Sequence, residues 1–294
     1  EGSKIAEIYT TTTQNMIEQG FPCARFSGTN KSGTYFHGKL YIKGVHYYLV
    51  YFISQQANEF DNEFFSTFRL EDFNYVNPIK EITDDDFHFK ARDEVTDNAL
   101  SRFNALYSKA YKEAMAGTAK KTENTWDFSS NSKYYYSPSS NEYVNIIFEK
   151  YNDYDYRDPS KLDERILKGL QKNTGLLVTH TVSTYKDSSY SFRCQLKDTA
   201  TVKAIDVRLF MRNGCMHEIV APFDTTLGLR GWTKEFMDSF TPLDTVIGKN
   251  LFRNKFTQVL NDLSSSDTTL RQRATQSLQN SLEVQKDYLD ELVR

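Results

Sequence analysis

AIDVRLFMRNGCMHEIVAPFD, residues 204–224, reads as two β-strands folded about one turn. β-Forming residues lie on either side of Asn213-Gly214, a dipeptide suited to the positive φ angles of a type I′ hairpin turn. Downstream, KEFMDSF (234–240) has the spacing of a short closing helix. Upstream, YSFRCQL (190–196) and LLVTHTVSTY (176–185) read as two more strands separated by KDSS. Before these, DPSKLDERILKGLQKNTG (158–175) predicts a helix. Asp158 is placed to cap it, Pro159 suits its first position, Leu162, Ile166 and Leu170 share a face, and Gly175 follows its end.

The same order is written once before. Residues 3–19 place Ile5, Ile8, Tyr9 and Met16 within one helical arc, which predicts a helix ended by Gly20 and Pro22. A run of β-formers follows, in which KLYI, Lys43-Gly44 and VHYYLVYF read as a hairpin. NEFFSTF (62–68) then closes it as a helix. The closing phrases are nearly the same text, EFFSTFRLED at 63–72 and EFMDSFTPLD at 235–244. Phe64 and Phe68, and Phe236 and Phe240, are expected to anchor each helix at i and i+4. The chain therefore reads as an internal duplication. The second copy is preceded by strands at 87–91 and 134–154 and by a helix at 98–116; the first has nothing equivalent. Expected boundaries are 1–79 for the C-terminal half of a first unit, 80–246 for a complete second unit, and 247–294 for a helical segment. In the last, Phe252, Phe256, Val259 and Leu263 form an apolar stripe, Asp267 caps a second helix, and Val284, Tyr288, Leu289 and Leu292 mark a third.

VRLFMRNGCMHEIVAPFD followed by FMDSFTP resembles the PsbP-like (Mog-type) α/β sandwich, over 80–245 as a whole domain and 1–73 as a half. The helices beyond 246 are similar to HEAT-type repeats. The resemblance implies an α+β fold with an antiparallel sheet covered by helices, one complete and one partial copy, and an all-α C-terminal segment. It also implies a binding or assembly module, part of a larger periplasmic or cell-surface protein, with the cytoplasm as the other setting. Fold alone does not carry activity. The competing reading is a hydrolase with a site between the sheet and the 98–116 helix.

Composition narrows the partners. Net charge is −3 and the Lys and Arg residues are scattered, unlike the basic footprint of a nucleic-acid binder. The longest apolar run, YYLVYFI at 47–53, has strand length and is far short of the ~20 residues of a membrane-spanning helix. The three cysteines, Cys23, Cys194 and Cys215, form no CxxC pair and suggest neither a disulfide scaffold nor a thiolate zinc site. The chain opens EGSK without an initiator Met or a signal peptide, which reads as a processed protein or a piece of a longer one. An open half unit at 1–73 is expected to be covered, by the second unit or by strand completion or dimerisation with another chain.

Candidate chemistry is sparse, and no cofactor or metal is expected. Cys215 and His217 share one face of a strand and could form a nucleophile pair. Aligning Gly44 with Gly214, however, sets Val45 and Tyr47 at those places, which favours a packing face. DYDYRDPSKLDE (153–164) puts Asp153, Asp155 and Glu164 at calcium-loop places 1, 3 and 12, but Arg157 and Asp158 stand where an oxygen ligand and Gly belong. A strand running into a capped helix accounts for it better. Asp84-Asp85-Asp86 reads as a solvated loop. His37, His46, His88, His180 and His217 fall on separate predicted strands without metal-ligand spacing. With 19 Tyr in the chain, the positions singled out are Tyr134, Tyr135, Tyr136, Tyr151, Tyr154 and Tyr156, which flank NEYVNIIF. Clustered on an exposed sheet they could stack on a glycan or grip a protein.

Overall fold

The structure is a computed structural model that describes residues 9–55, 62–95 and 127–280. The fold is α+β, with antiparallel strands and five helices among the described residues. The chain forms two compact units, Glu1–Asn74 with Phe223–Gly228, and Tyr75–Pro222 with Leu229–Arg294. The expected helices at 98–116 and around Val284–Leu292 lie outside the described residues.

The first unit is an antiparallel meander of β1 (Tyr9–Glu18), β2 (Phe21–Thr29), β3 (Tyr35–Lys43) and β4 (His46–Ser54), in that spatial order. Helix α1 (Asn62–Thr67) follows. Over its described part the helix expected at 3–19 is strand β1. Its four consecutive Thr are β-branched and favour extended backbone, and Gln19 and Gly20, both at positive φ, fold the strand back onto β2. The hairpin expected about Lys43-Gly44 turns one residue later, on Gly44-Val45, with Lys43 paired to His46. Only Gly44 there has positive φ, the pattern of a type II′ turn.

The two faces of this sheet differ in kind. One carries Glu18, Lys39 and Lys43 under α1. Lys39 Nζ lies 2.7 Å from Glu18 and over the Phe65 ring. Lys43 is buried, donates to the Glu71 carbonyl at 2.5 Å and pairs with Asp72 at 3.1 Å. Burying an ammonium is costly unless it is paired and hydrogen-bonded, and Lys43 is both. The anchor of α1 is Phe65, 1% exposed, rather than Phe64, which is 40% exposed. A six-residue helix turns one stripe inward, and Phe65, not its neighbour, lies on that stripe. The other face holds Phe26, Phe36, Leu49, Tyr51 and Ile53, sharing rows by the strand register. Phe26 lies across Gly38, where a Cβ would meet its ring at 2.4 Å.

The second unit contains a six-stranded sheet in the order β7-β8-β12-β11-β10-β9. Its strands are β7 (Ser129–Tyr136), β8 (Tyr143–Lys150), β9 (Leu177–Lys186), β10 (Ser189–Lys197), β11 (Lys203–Arg212) and β12 (Cys215–Asp224). A smaller sheet joins β5 (Ile79–Asp84), β6 (Phe89–Glu94) and β13 (Thr241–Pro242). Strands β9 to β12 are a second meander. Its first turn, Asp187-Ser188, and its last, Asn213-Gly214, have positive φ at both residues, the type I′ pattern.

Over its central strands the large sheet is covered on both faces. Helix α2 (Pro159–Thr174) is capped by Asp158, whose side chain accepts from the Ser160 amide, and it ends at left-handed Gly175. Its Leu162, Ile166 and Leu170 pack with Phe192, Cys194 and Leu209 on one face. On the other, α3 (Gly231–Ser239) inserts Trp232, Phe236 and Met237, all at most 1% exposed, against Phe89, Ile146 and Ile219. A buried ion network fastens the end of α3. Asp206, fully buried, accepts from Arg193 at 2.8 Å and Arg208 at 3.0 Å, and Arg208 also donates to the Met237 carbonyl and to Asp238. Helices α4 (Phe256–Leu263) and α5 (Thr268–Asn280) close on Tyr154 through Val259 and Ala274.

Candidate functional site

Strand alternation sorts the tyrosines. β7 is an edge strand paired to β8, with Tyr134 opposite Asn145, Tyr135 opposite Val144 and Tyr136 opposite Tyr143. Successive side chains point to opposite faces, so Tyr134 and Tyr136 emerge together beside Tyr143. These three are exposed. Their ring centroids are 6.0–6.2 Å apart, and the Tyr134 and Tyr136 planes differ by 28°. Asn145 continues the same face, and its buried Oδ1 has no hydrogen-bond partner among the described residues.

Tyr135, Tyr151 and Tyr154 do not belong to this surface. Each is buried with an internal partner for its hydroxyl. Tyr135 donates to Asp84 at 2.5 Å, Tyr151 to the Met216 sulfur at 3.5 Å, and Tyr154 to Asp262 at 2.8 Å. Burial, then the carboxylate hydrogen bonds, push the Tyr135 phenol far up and the Tyr154 phenol to about 12. Tyr156 is half-buried. Six clustered tyrosines therefore resolve into two on the patch, three in cores and one between. The third patch member, Tyr143, was not among the six. Pairing YYY with NEYVNIIF as a hairpin would have brought it opposite Tyr136.

The patch is held on a fixed loop. Ser137 and Glu142 close the turn, with Asn141 at positive φ. Glu94, 4% exposed, accepts from Ser137 at 2.6 Å and Asn77 at 2.8 Å. Burial works against its charge, but the hydrogen bonds from Ser137, Ser139 and Asn77 outweigh it and hold the carboxyl below the usual range. Tyr75 donates to Glu142 at 2.9 Å from the other side of the turn.

The remaining candidates are packing and pairing groups. Cys215 and His217 are 3% and 1% exposed. Burial pushes the Cys215 thiol up to about 12 and the His217 imidazole down to about 4. The thiol lies 3.2 Å from the Arg212 carbonyl, and His217 Nε2 lies 2.7 Å from that of Phe87. A thiol held protonated and out of reach is no nucleophile. Matched by their turns, His46 and Tyr48 correspond to Cys215 and His217.

In the calcium-loop segment, ammonium groups stand among the acids. Lys150 donates to the Tyr151 carbonyl and lies 3.3 Å from Asp153, while Lys255 donates to the Asp155 carbonyl at 2.7 Å. Burial lowers Lys255 to about 8. Glu164 is exposed on α2. Asp84 is not a solvated loop residue. It is buried and accepts from Tyr135, Lys133 and the Phe87 amide. His88 lies in a turn rather than on a strand. Among the described residues no group of three or more His, Cys, Asp or Glu is placed to hold a metal, and no helix is long and apolar enough to cross a membrane. The hydrolase site considered against the 98–116 helix lies outside the described residues. No known family model matches the chain, and no curated protein matches it in sequence.

Proposed function

We propose that the chain is a non-enzymatic binding or assembly module of a larger extracytoplasmic protein, built from one complete and one partial copy of a PsbP-like α/β unit, with HEAT-like helices after them. The observation that carries the binding role is the patch of Tyr134, Tyr136 and Tyr143. Three exposed rings on rigid strands are unusual for surface that meets only water. Tyrosine offers an apolar face and a polar tip at low entropic cost, which suits a sugar ring or a protein side chain.

Several matches support the duplication. In β1–β4 the connections Gln19-Gly20, Asn30–Thr34 and Gly44-Val45 have two, five and two residues, and in β9–β12 Asp187-Ser188, Asp198–Val202 and Asn213-Gly214 repeat those lengths. The first strand of each meander also carries a bulge. Each closing phrase ends on an Asp that pairs with the cation before the last turn, Asp72 with Lys43 and Asp244 with Arg212. The extracytoplasmic setting rests on the family resemblance. The first copy is completed from outside itself.

The test is affinity electrophoresis of the full chain through gels containing soluble β-glucan, mannan, chitosan or peptidoglycan fragments. At least one is expected to retard the protein, and the triple variant Tyr134→Ala, Tyr136→Ala, Tyr143→Ala to run freely with an unchanged melting temperature. Retardation that survives the triple variant would refute the patch. Turnover of the retarding glycan would favour the hydrolase reading.

A further inference from the structure

The outer face of the β1–β4 sheet is built as an interface. By the strand register its rows run Asn15-Ala24-Leu40-Leu49, Thr13-Phe26-Gly38-Tyr51 and Gly28-Phe36-Ile53, with Ile17-Pro22 and Ile42-Tyr47 paired beyond them. No Lys, Arg, Asp or Glu stands in them, although the opposite face of the same strands carries Glu18, Arg25, Lys39 and Lys43. Ile17 is 70% exposed, Leu49 45%, Tyr51 42% and Ile53 59%. Single exposed apolar residues are ordinary, but a largely apolar layer over β2, β3 and β4, extended by Ile17 of β1 beside the polar Asn15 and Thr13, is not.

We infer that this face is covered by the same face of a second copy of the chain, two sheets packing as a symmetric sandwich. This rests on the reading of the first unit as incomplete. Size supports a second copy. Four strands spaced ~4.8 Å and nine residues rising ~3.3 Å each give a face of roughly 19 by 30 Å. Two such faces cover about 1,100 Å² in plan, and a corrugated side-chain layer has more accessible area than its plan, so the pair reaches the ~1,200 Å² of stable interfaces. Charge supports it too. A two-fold contact sets each residue near its own kind, so any charge on the face would oppose a like charge, and this face has none. Sheets pack about 10 Å apart with interdigitated apolar residues, and the Phe26 ring laid over Gly38 keeps the centre of the layer level.

Sedimentation equilibrium of the full chain should give a mass near twice 34.1 kDa at micromolar concentration. Leu49→Lys with Ile53→Lys should weaken self-association at least 100-fold while leaving the circular dichroism unchanged. Hydroxyl-radical footprinting of the unaltered protein needs no variant to fold. Tyr51 and Ile53 should lose reactivity as concentration rises, while Val182 and Leu177, exposed on the second unit, stay constant. A dimer in which Tyr51 and Ile53 remain reactive overturns the inference, as does one indifferent to the two lysines. A monomer at all concentrations that takes up a peptide of residues 158–175, the helix that covers the second sheet, also overturns the second copy, but leaves the incomplete unit standing. A monomer that takes up neither sinks both.

Discussion

The β1–β4 and β9–β12 meanders use the same strand count and the same connection lengths, and their surroundings differ. β12 has β8 along its free edge, α2 over one face and α3 over the other. β4 ends its sheet, and among the described residues of the first unit a helix lies over one face, that of α1. What lies against a sheet sets how much each side chain contributes. The same secondary structure can thus be enclosed on both faces in one place and leave Ile17, Leu49, Tyr51 and Ile53 exposed in another.

The largest effect should come from the covered faces. Phe192→Ala or Phe236→Ala, each at most 2% exposed, should cost about 3–5 kcal/mol. Ile53→Ala on the bare face should cost under about 1 kcal/mol in dilute solution. Urea denaturation of both variants measures the contrast, and equal losses would break it.

Protonation gives the next difference. His217 is held at about 4 in the fold by burial, below the ordinary 6.5. The unfolded chain therefore takes up this proton first as pH falls. The contribution is whole above pH 6.5 and is lost on acidification through about 4, by roughly 3 kcal/mol. Its turn-matched counterpart, Tyr48, has no transition there. His217→Gln should flatten the dependence of the urea midpoint between pH 6.5 and 4 relative to the unaltered chain.

The turns should separate as well. At Gly214 (φ 80°) an added Cβ meets the Gly248 backbone at 2.4 Å, whereas at Gly44 (φ 59°) nothing lies within 4 Å. Gly44→Ala should cost about 1–2 kcal/mol, from the left-handed backbone alone. Gly214→Ala should cost about 1–3 kcal/mol more, from overlap. Thermal melts of the pair would show it. Smallest of all, Tyr134→Ala or Tyr136→Ala should move stability by no more than about 0.5 kcal/mol, although each is expected to weaken ligand retention.

Much of this was legible from residues alone where the signal is local. Asp158, Pro159 and Gly175 marked α2, Asn213-Gly214 marked its hairpin, and Phe236 and Phe240 marked the closing of the second sheet. What failed depended on partners distant in the chain. The helical stripe read over 3–19 fails over its described part, Tyr9–Glu18, where pairing of β1 to β2 decides the conformation. Gly44 was recognised as a turn residue, yet its place within the turn follows from the register of β3 on β4. A shift of one residue exchanges faces, so a turn at Gly44-Val45 rather than Lys43-Gly44 sets Tyr48, not Tyr47, opposite Tyr41. The tyrosine patch was half legible for the same reason. Alternation removes Tyr135, and only the β7–β8 pairing supplies Tyr143.

Residue-resolved hydrogen exchange on the dilute 294-residue chain tests most directly whether one meander is sheathed and the other bare. The amides of β12 from Met216 to Val220 should exchange only through global unfolding. Those of β4 from Leu49 to Ile53 should exchange at least 100-fold faster. Equal protection in the two strands of the dilute monomer would contradict the account.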